Sequence, residues 1–343
     1  MLEPSGAVTA DAPAELPDDA VLIELYRQMV LGRRFDAQAT ALTKQGRLAV
    51  YPSSRGQEAC QVGAVAALSG QDWLFPTYRD SVAIVARGVD PVETLSLLRG
   101  DQHCGYDPYE HHVGAQCTPL ATNTLHAVGL AHAARLKGDD TVALVMLGDG
   151  ATSEGDTHEA LNFAAVWQAP VVFLIQNNGF AISVPISEQS AAPSLAHKGI
   201  GYGVPSHLVD GNDVAMVYTA VRDAVSAARR GDGPTLIEAL TYRIEAHTNA
   251  DDASRYRSED EVQHWRALDP IERLDAHLTS RGLLDDERRA KIAAEGERAA
   301  EALRERMNAD PQLDPAQLFA HVYATPTAAL LAQRAELAEE LTP

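Results

Sequence analysis

The sequence contains little cysteine and few basic residues, and it lacks long apolar runs. Its three cysteines, Cys60, Cys104 and Cys117, fit neither a disulfide framework nor the close spacing of zinc ligands, which is typical of a protein in a reducing compartment. Lys and Arg number 28 against 48 Asp and Glu, so the net charge is −20. A field of that sign repels phosphate backbones and anionic lipids, which argues against binding to nucleic acid or to a membrane.

The start of the chain has no recognisable targeting signal. Residues 1–19 contain acidic residues and no basic residue, unlike the basic start of a signal peptide. The longest apolar runs, such as Val142–Leu147, fall far short of the roughly 20 residues that a membrane helix needs. We therefore expect a cytoplasmic protein, and the hydrophobic content of 45% predicts a folded one.

The middle of the chain has the pattern of buried strands that alternate with helices. Short apolar runs at Thr141–Leu147 and Val171–Ile175 flank a helical pattern over Glu154–Gln168, which together predict one strand–helix–strand unit. Further elements are predicted as a strand at His207–Val209, a helix at Asp213–Arg230 and a strand at Pro234–Tyr242. The sequence thus predicts an α/β fold with a doubly wound, mainly parallel sheet.

Helical patterns flank this core on both sides. The resulting regions are a flexible lead-in over 1–18, a helical layer over 19–100, the α/β core over 101–260 and a C-terminal helical region over 261–343. In the C-terminal region, the stretches Asp285–Met307 and Ala328–Leu341 have mixed charges on one side and Ala or Leu on the other. We expect such helices to pack on the core or on a partner subunit.

Polar segments follow the first two predicted strands, at the edge of the sheet where ligands bind in α/β folds. Gly148, Asp149 and Gly150 come directly after one strand, and Asn178 follows the next. The carboxylate in the glycine turn would repel a diphosphate, unless a divalent cation lies between them. Because Mg²⁺ prefers oxygen ligands such as carboxylates and substrate phosphates, Asp149 and the Asn178 amide oxygen together predict a metal–diphosphate site.

Each segment alone is more typical of an ordinary capping turn than of a ligand site. A dinucleotide-binding turn is disfavoured, because Ser153 stands where the third glycine of that motif belongs. The two segments together favour a site, because the 26 residues between Gly150 and Asn177 are the length of one helix and one adjacent strand.

The motifs around these segments resemble the α subunit of the decarboxylating first component of 2-oxo acid dehydrogenase complexes, from about Asp19 to the C-terminus. The matching stretches are GDGATSEGDTHEALNFAA, QNNGFAIS, RGQEACQVGA, PTYRD, TPLATNTLHAVG and TYRIEAHTNADDASRYRS. The resemblance implies the diphosphate-binding domain of the thiamine diphosphate-binding fold, with thiamine diphosphate and Mg²⁺ as cofactors.

The family's site residues carry over to matching positions of this sequence. Mg²⁺ would be held by Asp149, Asn178 and the Phe180 carbonyl. The other cofactor-binding positions implied are Tyr78, Arg79, Thr118, Leu120, Gly148, Gly150, Ala151, Gln176, Ala181 and His247. His247 would also be catalytic, at the reacting carbon and in transfer of the acyl group, with His103 as a second catalytic candidate.

Some positions depart from the family pattern. Pro119, Thr122 and Asn123 match a structural potassium site of some relatives, where Asn123 replaces a longer Gln. Gln176 stands where some branched-chain relatives have an Arg that contacts the diphosphate. Thr248 stands in a loop that phosphorylation regulates in some relatives, which makes phosphorylation at Thr248 or Ser254 a hypothesis here.

The resemblance also implies partners. The glutamate that activates the cofactor lies in a pyrimidine-binding domain for which this chain has no room, so a β subunit would supply it in a heterotetramer of two α and two β chains. A lipoyl-bearing dihydrolipoyl acyltransferase core would accept the acyl group. Strings such as NNGFAIS favour a branched-chain 2-oxo acid as the substrate. Pyruvate, an acetoin-cleaving activity, and a catalytically silent assembly subunit stay open as alternatives.

Overall fold

A parallel β-sheet lies at the centre of the computed structural model, which describes residues 1–10, 12, 15–101, 103–309 and 314–341. The strands are β1 (Trp73–Phe75), β2 (Ala143–Gly148), β3 (Val171–Asn177), β4 (Phe180–Ala181), β5 (Val184–Pro185), β6 (Ser206–Asp210) and β7 (Thr235–Leu240). Five of them form the parallel sheet in the order β1-β2-β3-β7-β6, and β4 and β5 pair as an antiparallel hairpin. The predicted α/β fold with a mainly parallel sheet is confirmed.

Helices cover both faces of the sheet and extend the chain at both ends. They are α1 (Asp19–Lys44), α2 (Glu58–Ala66), α3 (Ser81–Ala86), α4 (Pro91–Arg99), α5 (Pro108–His111), α6 (Thr122–Lys137), α7 (Gly155–Trp167), α8 (Ile186–Gln189), α9 (His197–Gly201), α10 (Val214–Arg229), α11 (Glu259–Arg266), α12 (Pro270–Ser280), α13 (Asp286–Asn308), α14 (Gln317–Ala320) and α15 (Ala328–Glu340).

The two faces of the sheet bury alternate residues of each strand. Leu144 and Met146 of β2 pack in the cluster that contains α10, whereas Val145 and Leu147 pack on the opposite face against α6 and α7. Every residue of β3 is buried. This is the burial expected of a central parallel strand covered on both sides, and it explains the continuous apolar runs in the sequence.

A third apolar cluster joins the helical ends of the chain. It brings α1 together with α12 and α13, through side chains such as Leu25, Leu278 and Leu303. Ion pairs cross the same contact: Arg34 of α1 reaches Glu297 of α13 at 2.8 Å, and Arg306 of α13 reaches Asp90 before α4 at 2.7 Å. Helices α1, α12 and α13 therefore pack together as one helical layer.

Two features differ from the sequence-based expectations. The edge strand β1 lies inside the region expected to be only helical, because three residues are too few to leave a detectable periodicity. Residues 1–10 belong to the expected flexible lead-in, yet the Met1 and Leu2 side chains are buried and the Leu2 N–H donates to Asp213 at 2.6 Å. This segment has no apolar periodicity, so its contact with Asp213 could not be predicted from the sequence.

The C-terminal end of the chain is much more exposed than the core. None of the residues of α15 is buried, and Leu331 within it and Leu341 just after it are exposed apolar residues. Within the described residues, no helix has the length and apolar character needed to cross a membrane.

Candidate active site

The two polar segments meet at one edge of the sheet. β2 and β3 pair in parallel register with Gly148 opposite Gln176, so the segments that follow the two strands begin side by side at the same edge of the sheet. Asp149 and Asn178 consequently line a single cleft, together with Gly150 and Phe180. The structure brings together the residues for which the sequence predicted a metal–diphosphate site.

Asp149 is a buried carboxylate on which the Arg243 guanidinium acts from beyond ion-pair distance. It is 1% exposed, and one of its oxygens accepts a hydrogen bond from the Gln189 amide at 2.7 Å. Burial raises the pKa of this carboxyl group, and the Gln189 hydrogen bond offsets part of the effect. Among the described residues, no Lys or Arg forms an ion pair with it. A buried carboxylate is costly without a compensating charge, which a metal ion at this position would supply.

Asn178 presents its side-chain oxygen toward the start of the β4–β5 hairpin. Its Oδ1 accepts the Phe180 N–H at 3.2 Å, and its Nδ2 donates to Gln57 at 3.1 Å. Gly179 has φ +88°, a conformation that glycine adopts without strain, and it turns the chain between these residues. An amide oxygen, a buried carboxylate and a nearby main-chain carbonyl are a donor set that suits Mg²⁺.

The glycine turn after β2 packs closely against the hairpin. Gly150 begins a short 3₁₀ turn, and a Cβ placed on it would lie 2.8 Å from the Ala181 Cβ. Lys198 of α9 anchors this turn. Its ammonium group donates to the Thr152 carbonyl at 2.7 Å and to the Thr152 hydroxyl at 2.8 Å. The turn therefore has a fixed backbone at the mouth of the cleft.

Arg79 and Tyr78 form the opposite wall. The Arg79 guanidinium is buried and donates to the Ser53 carbonyl and to the His247 carbonyl, both at 3.0 Å. It lies 5.5 Å from the centre of the Tyr78 ring. The predicted pair is thus in the cleft, with its cationic group already held in place.

His247 lies between two guanidinium groups. Its Nδ1 is 3.0 Å from Arg79 and 3.3 Å from Arg243, and because both are donors, Nδ1 must accept. The ring proton therefore resides on Nε2. Burial and the two nearby cations lower the pKa of His247 to about 4, with Asp251 acting in the opposite direction. At neutral pH this side chain is a neutral imidazole whose Nε2–H can donate.

Arg243 is a cleft residue that the sequence analysis missed. It is 1% exposed and donates to the Ile182 carbonyl at 2.6 Å and to the Tyr256 hydroxyl at 2.8 Å, while its Nε has no hydrogen-bond partner among the described residues. Burial and the nearby Arg79 lower its pKa. Its position four residues before His247 was the available signal, but one sequence gives no reason to prefer it over other arginines.

Some predicted residues do not lie in the cleft. His103 is exposed, its Nδ1 accepts the Gly105 N–H at 3.0 Å, and it lines a separate cavity with His111 and His321. The structure thus does not bring His103 together with His247, and its catalytic role stays a prediction. Thr118 is exposed and is not among the described residues that line the cleft, whereas Leu120 lines it.

The remaining predicted positions are Ala151, Ala181 and Gln176 for the cofactor and Asn123 for potassium. Ala151 and Ala181 line the cleft, and so does Gln176, but both polar atoms of the Gln176 amide are bonded to side chains in the wall. The Asn123 Nδ2 donates to the carbonyls of Phe75, Pro76 and Met146 at 2.8–3.3 Å. These carbonyls are not the predicted ligands at Pro119, Thr122 and Asn123, so the potassium site stays a prediction.

Known proteins match this chain over most of its length. Residues 26–316 match the protein family described as dehydrogenase E1 component. The chain is 46% identical over 343 residues to the 3-methyl-2-oxobutanoate dehydrogenase subunit alpha of Mycobacterium tuberculosis, which covers 99% of this chain and 93% of that protein.

Two further relatives are more distant. The 2-oxoisovalerate dehydrogenase subunit alpha of Bacillus subtilis is 39% identical over 280 residues, covering 78% of this chain and 85% of the relative. The pyruvate dehydrogenase E1 component subunit alpha of Acholeplasma laidlawii is 39% identical over 283 residues, covering 82% of this chain and 81% of the relative.

Proposed function

This chain belongs to the dehydrogenase E1 component family, and from that membership we propose that it is the α chain of an enzyme that oxidatively decarboxylates a branched-chain 2-oxo acid. The family expected from the sequence motifs is confirmed. Dependence on thiamine diphosphate follows from the family, and the subunit names of the relatives imply a β subunit as partner. The branched-chain assignment has more support than the pyruvate alternative.

The observation that carries the proposal is the cleft in which a buried carboxylate and an amide oxygen face two guanidinium groups. Asp149, Asn178 and the Phe180 carbonyl would hold Mg²⁺, and Tyr78 and Arg79 would bind the far phosphate. Thiamine diphosphate, when bound, supplies the electron sink for decarboxylation. Potassium at Pro119, Thr122 and Asn123 remains a separate prediction, on which this proposal does not depend.

The remaining residues of the cleft orient the reactants. The His247 Nε2–H would donate to the developing charge on the substrate, since its Nδ1 is occupied by Arg79 and Arg243. Leu120, which is 41% exposed at the rim, would offer an apolar wall for an aliphatic side chain. The β subunit would supply the activating glutamate, and a lipoyl group on an acyltransferase core would accept the acyl group.

The substrate assignment is tested with the α chain assembled with its β subunit. We expect kcat/KM for 2-oxoisovalerate and 4-methyl-2-oxopentanoate to exceed that for pyruvate by about tenfold or more, because each added methylene contributes about 1–3 kcal/mol in an apolar pocket. Preference for pyruvate would overturn the substrate assignment. Cleavage of acetoin with a dye acceptor, or no turnover of any 2-oxo acid, would instead favour an acetoin-cleaving enzyme or a silent assembly subunit.

The metal assignment has a separate test. Replacing Asp149 by Ala should abolish the magnesium-dependent retention of thiamine diphosphate in the assembled enzyme, measured by calorimetric titration. Retention equal to that of the wild type would contradict the proposed metal site, whatever the substrate is.

A further inference from the structure

A continuous row of buried polar side chains lies in the wall of the cleft, between Asn178 and Asp80. The Asn178 Nδ2 donates to the Gln57 Oε1 at 3.1 Å, and the Gln57 Nε2 donates to the Gln176 Oε1 at 2.9 Å. The Gln176 Nε2 then donates to the Asp80 Oδ1 at 2.7 Å. Each of these four residues is at most 6% exposed, so water does not compete for their hydrogen bonds. We call this row the amide relay.

Asp80 fixes the direction in which the hydrogen bonds of the relay run from donor to acceptor. Both oxygens of Asp80 accept, because Oδ1 faces Gln176 and Oδ2 receives the Thr77 backbone N–H at 2.7 Å. A side-chain amide has one donor end and one acceptor end, so a fixed acceptor at Asp80 fixes each amide in turn. The nitrogen of Gln176 must face Asp80, its oxygen must face Gln57, and the nitrogen of Asn178 must face the relay.

A neighbouring amide supports the same direction. The Gln61 Oε1 accepts the Ala83 N–H at 3.1 Å, which turns the Gln61 nitrogen toward the Gln176 oxygen at 3.4 Å. At the other end, the Phe180 N–H donates to the Asn178 oxygen. All the described contacts of the relay thus agree on one orientation of every amide.

We propose that Asp80 is a positioning residue that acts through Gln176 and Gln57 to keep the amide oxygen of Asn178, rather than its nitrogen, facing the metal position. This proposal rests on the proposed function, because it assigns Asn178 to Mg²⁺. It also gives Gln176 a role in the wall of the site that does not require contact with the diphosphate.

The substitution Asp80→Asn changes the direction of the relay while it keeps the size of the side chain. The Thr77 N–H retains the new side-chain oxygen, so the new amide nitrogen faces Gln176. Two nitrogens then oppose each other, and reversal of Gln176 and Gln57 removes that conflict but places the nitrogen of Asn178 toward the metal. The reversal also costs the contacts of the Phe180 N–H with the Asn178 oxygen and of the Gln61 nitrogen with the Gln176 oxygen. We expect the Mg²⁺ affinity to fall about tenfold or more.

A second substitution should restore the direction. Gln57→Glu, added to Asp80→Asn, places an acceptor-only group next to Asn178. The reversed Gln176 amide can donate to that carboxylate, and so can the Asn178 nitrogen. The double variant D80N/Q57E should therefore recover the Mg²⁺ affinity to within about threefold of the wild type. If Asp80 had only a structural role, no such recovery would be expected, because the losses caused by two buried substitutions would add.

The experiment titrates MgCl₂ calorimetrically into the assembled α/β enzyme with excess thiamine diphosphate, for the wild type, D80N, D80N/Q57E and D149A. Loss of affinity in D80N with recovery in the double variant supports the relay. Unchanged affinity in D80N, or no recovery in the double variant, overturns the proposed role of the relay. If D149A loses affinity in the same experiment, the proposed function is not affected by that result. Absence of magnesium-dependent binding in the wild type refutes the proposed function itself, and the relay's role with it.

Thermal unfolding of each variant separates metal affinity from folding. If D80N fails to assemble, Gln57→Leu replaces it, since that change removes the acceptor beside Asn178 and should cause a similar loss of Mg²⁺ affinity. Wild-type affinity in Q57L would overturn the proposal in the same way.

Discussion

At the scale of single residues, the cleft is built from side chains whose donors and acceptors are already assigned. Arg79 and Arg243 both donate toward His247, which leaves the imidazole neutral and its Nε2–H free to point into the cleft. The cleft lining sets these two guanidinium groups against the carboxylates of Asp80, Asp149 and Glu154, so a metal ion at Asp149 would supply the further positive charge that an anionic cofactor requires.

His247 should make stability depend on pH. Its pKa is about 4 in the folded chain against an ordinary value of 6.5, so the unfolded chain binds more protons between these values. Stability from this group is complete above about pH 6.5 and is lost as the pH falls toward 4. We therefore expect the melting temperature of the wild type to fall more steeply between pH 6.5 and 5 than that of His247→Gln.

The comparison of the two melting curves is needed because another group titrates in the same range. Burial raises the pKa of Asp36 to about 6, which contributes a slope of opposite sign. That contribution is present in both proteins and cancels in their difference. Parallel curves for the wild type and His247→Gln would show that the imidazole is not held neutral by its neighbours.

The sequence predicted some of these residues and not others. Asp149 and Asn178 follow apolar strands directly, so their meeting at one sheet edge was predictable from parallel pairing. Arg243, Gln57 and Asp80 could not be found this way, because their contacts join segments far apart in the chain.

At the scale of elements, the 3₁₀ turn and the β4–β5 hairpin depend on each other. Gly150→Ala adds a methyl group that would meet the Ala181 Cβ at 2.8 Å, which must move the turn or the hairpin. Such crowding costs about 1–3 kcal/mol, and we expect the affinity for thiamine diphosphate to fall about tenfold. In the double variant G150A/A181G the crowding atom is absent, so affinity should return. Calorimetric titration of both variants in the assembled enzyme would decide, and no return would mean that Gly150 contacts the cofactor itself.

The accuracy of the predicted elements follows from their burial. β2 and β3 begin and end within two residues or so of the predicted strands, because both faces are buried and their apolar runs are continuous. β1 and the hairpin were missed because strands of two or three residues leave no pattern. Short elements of this kind are fixed by tertiary contacts, such as Arg243 with the Ile182 carbonyl.

At the scale of the whole molecule, the proposed function requires a partner that completes the cleft. The described residues contain a single parallel sheet, and the rim of the cleft at the ends of β2 and β3 includes Leu120 and Ile182, which are 41% and 58% exposed. An apolar rim of this kind is the expected contact for a partner that completes the site.

The purified α chain alone should therefore show no decarboxylation of any 2-oxo acid, and addition of the β subunit should restore turnover. A dye-reduction assay with 2-oxoisovalerate measures both. Robust turnover by the isolated chain would contradict the proposal that the activating glutamate belongs to the β subunit.

The position of β3 determines how disturbance can spread through the molecule. This strand is buried on both faces and paired on both edges, so its amide hydrogens exchange with deuterium only when the whole fold opens. The segment that carries Asn178 starts where β3 ends. Removal of the metal would thus accelerate exchange in the hairpin and leave β3 as slow as before. The sheet of the cofactor-free enzyme would therefore stay folded and ready to bind the coenzyme.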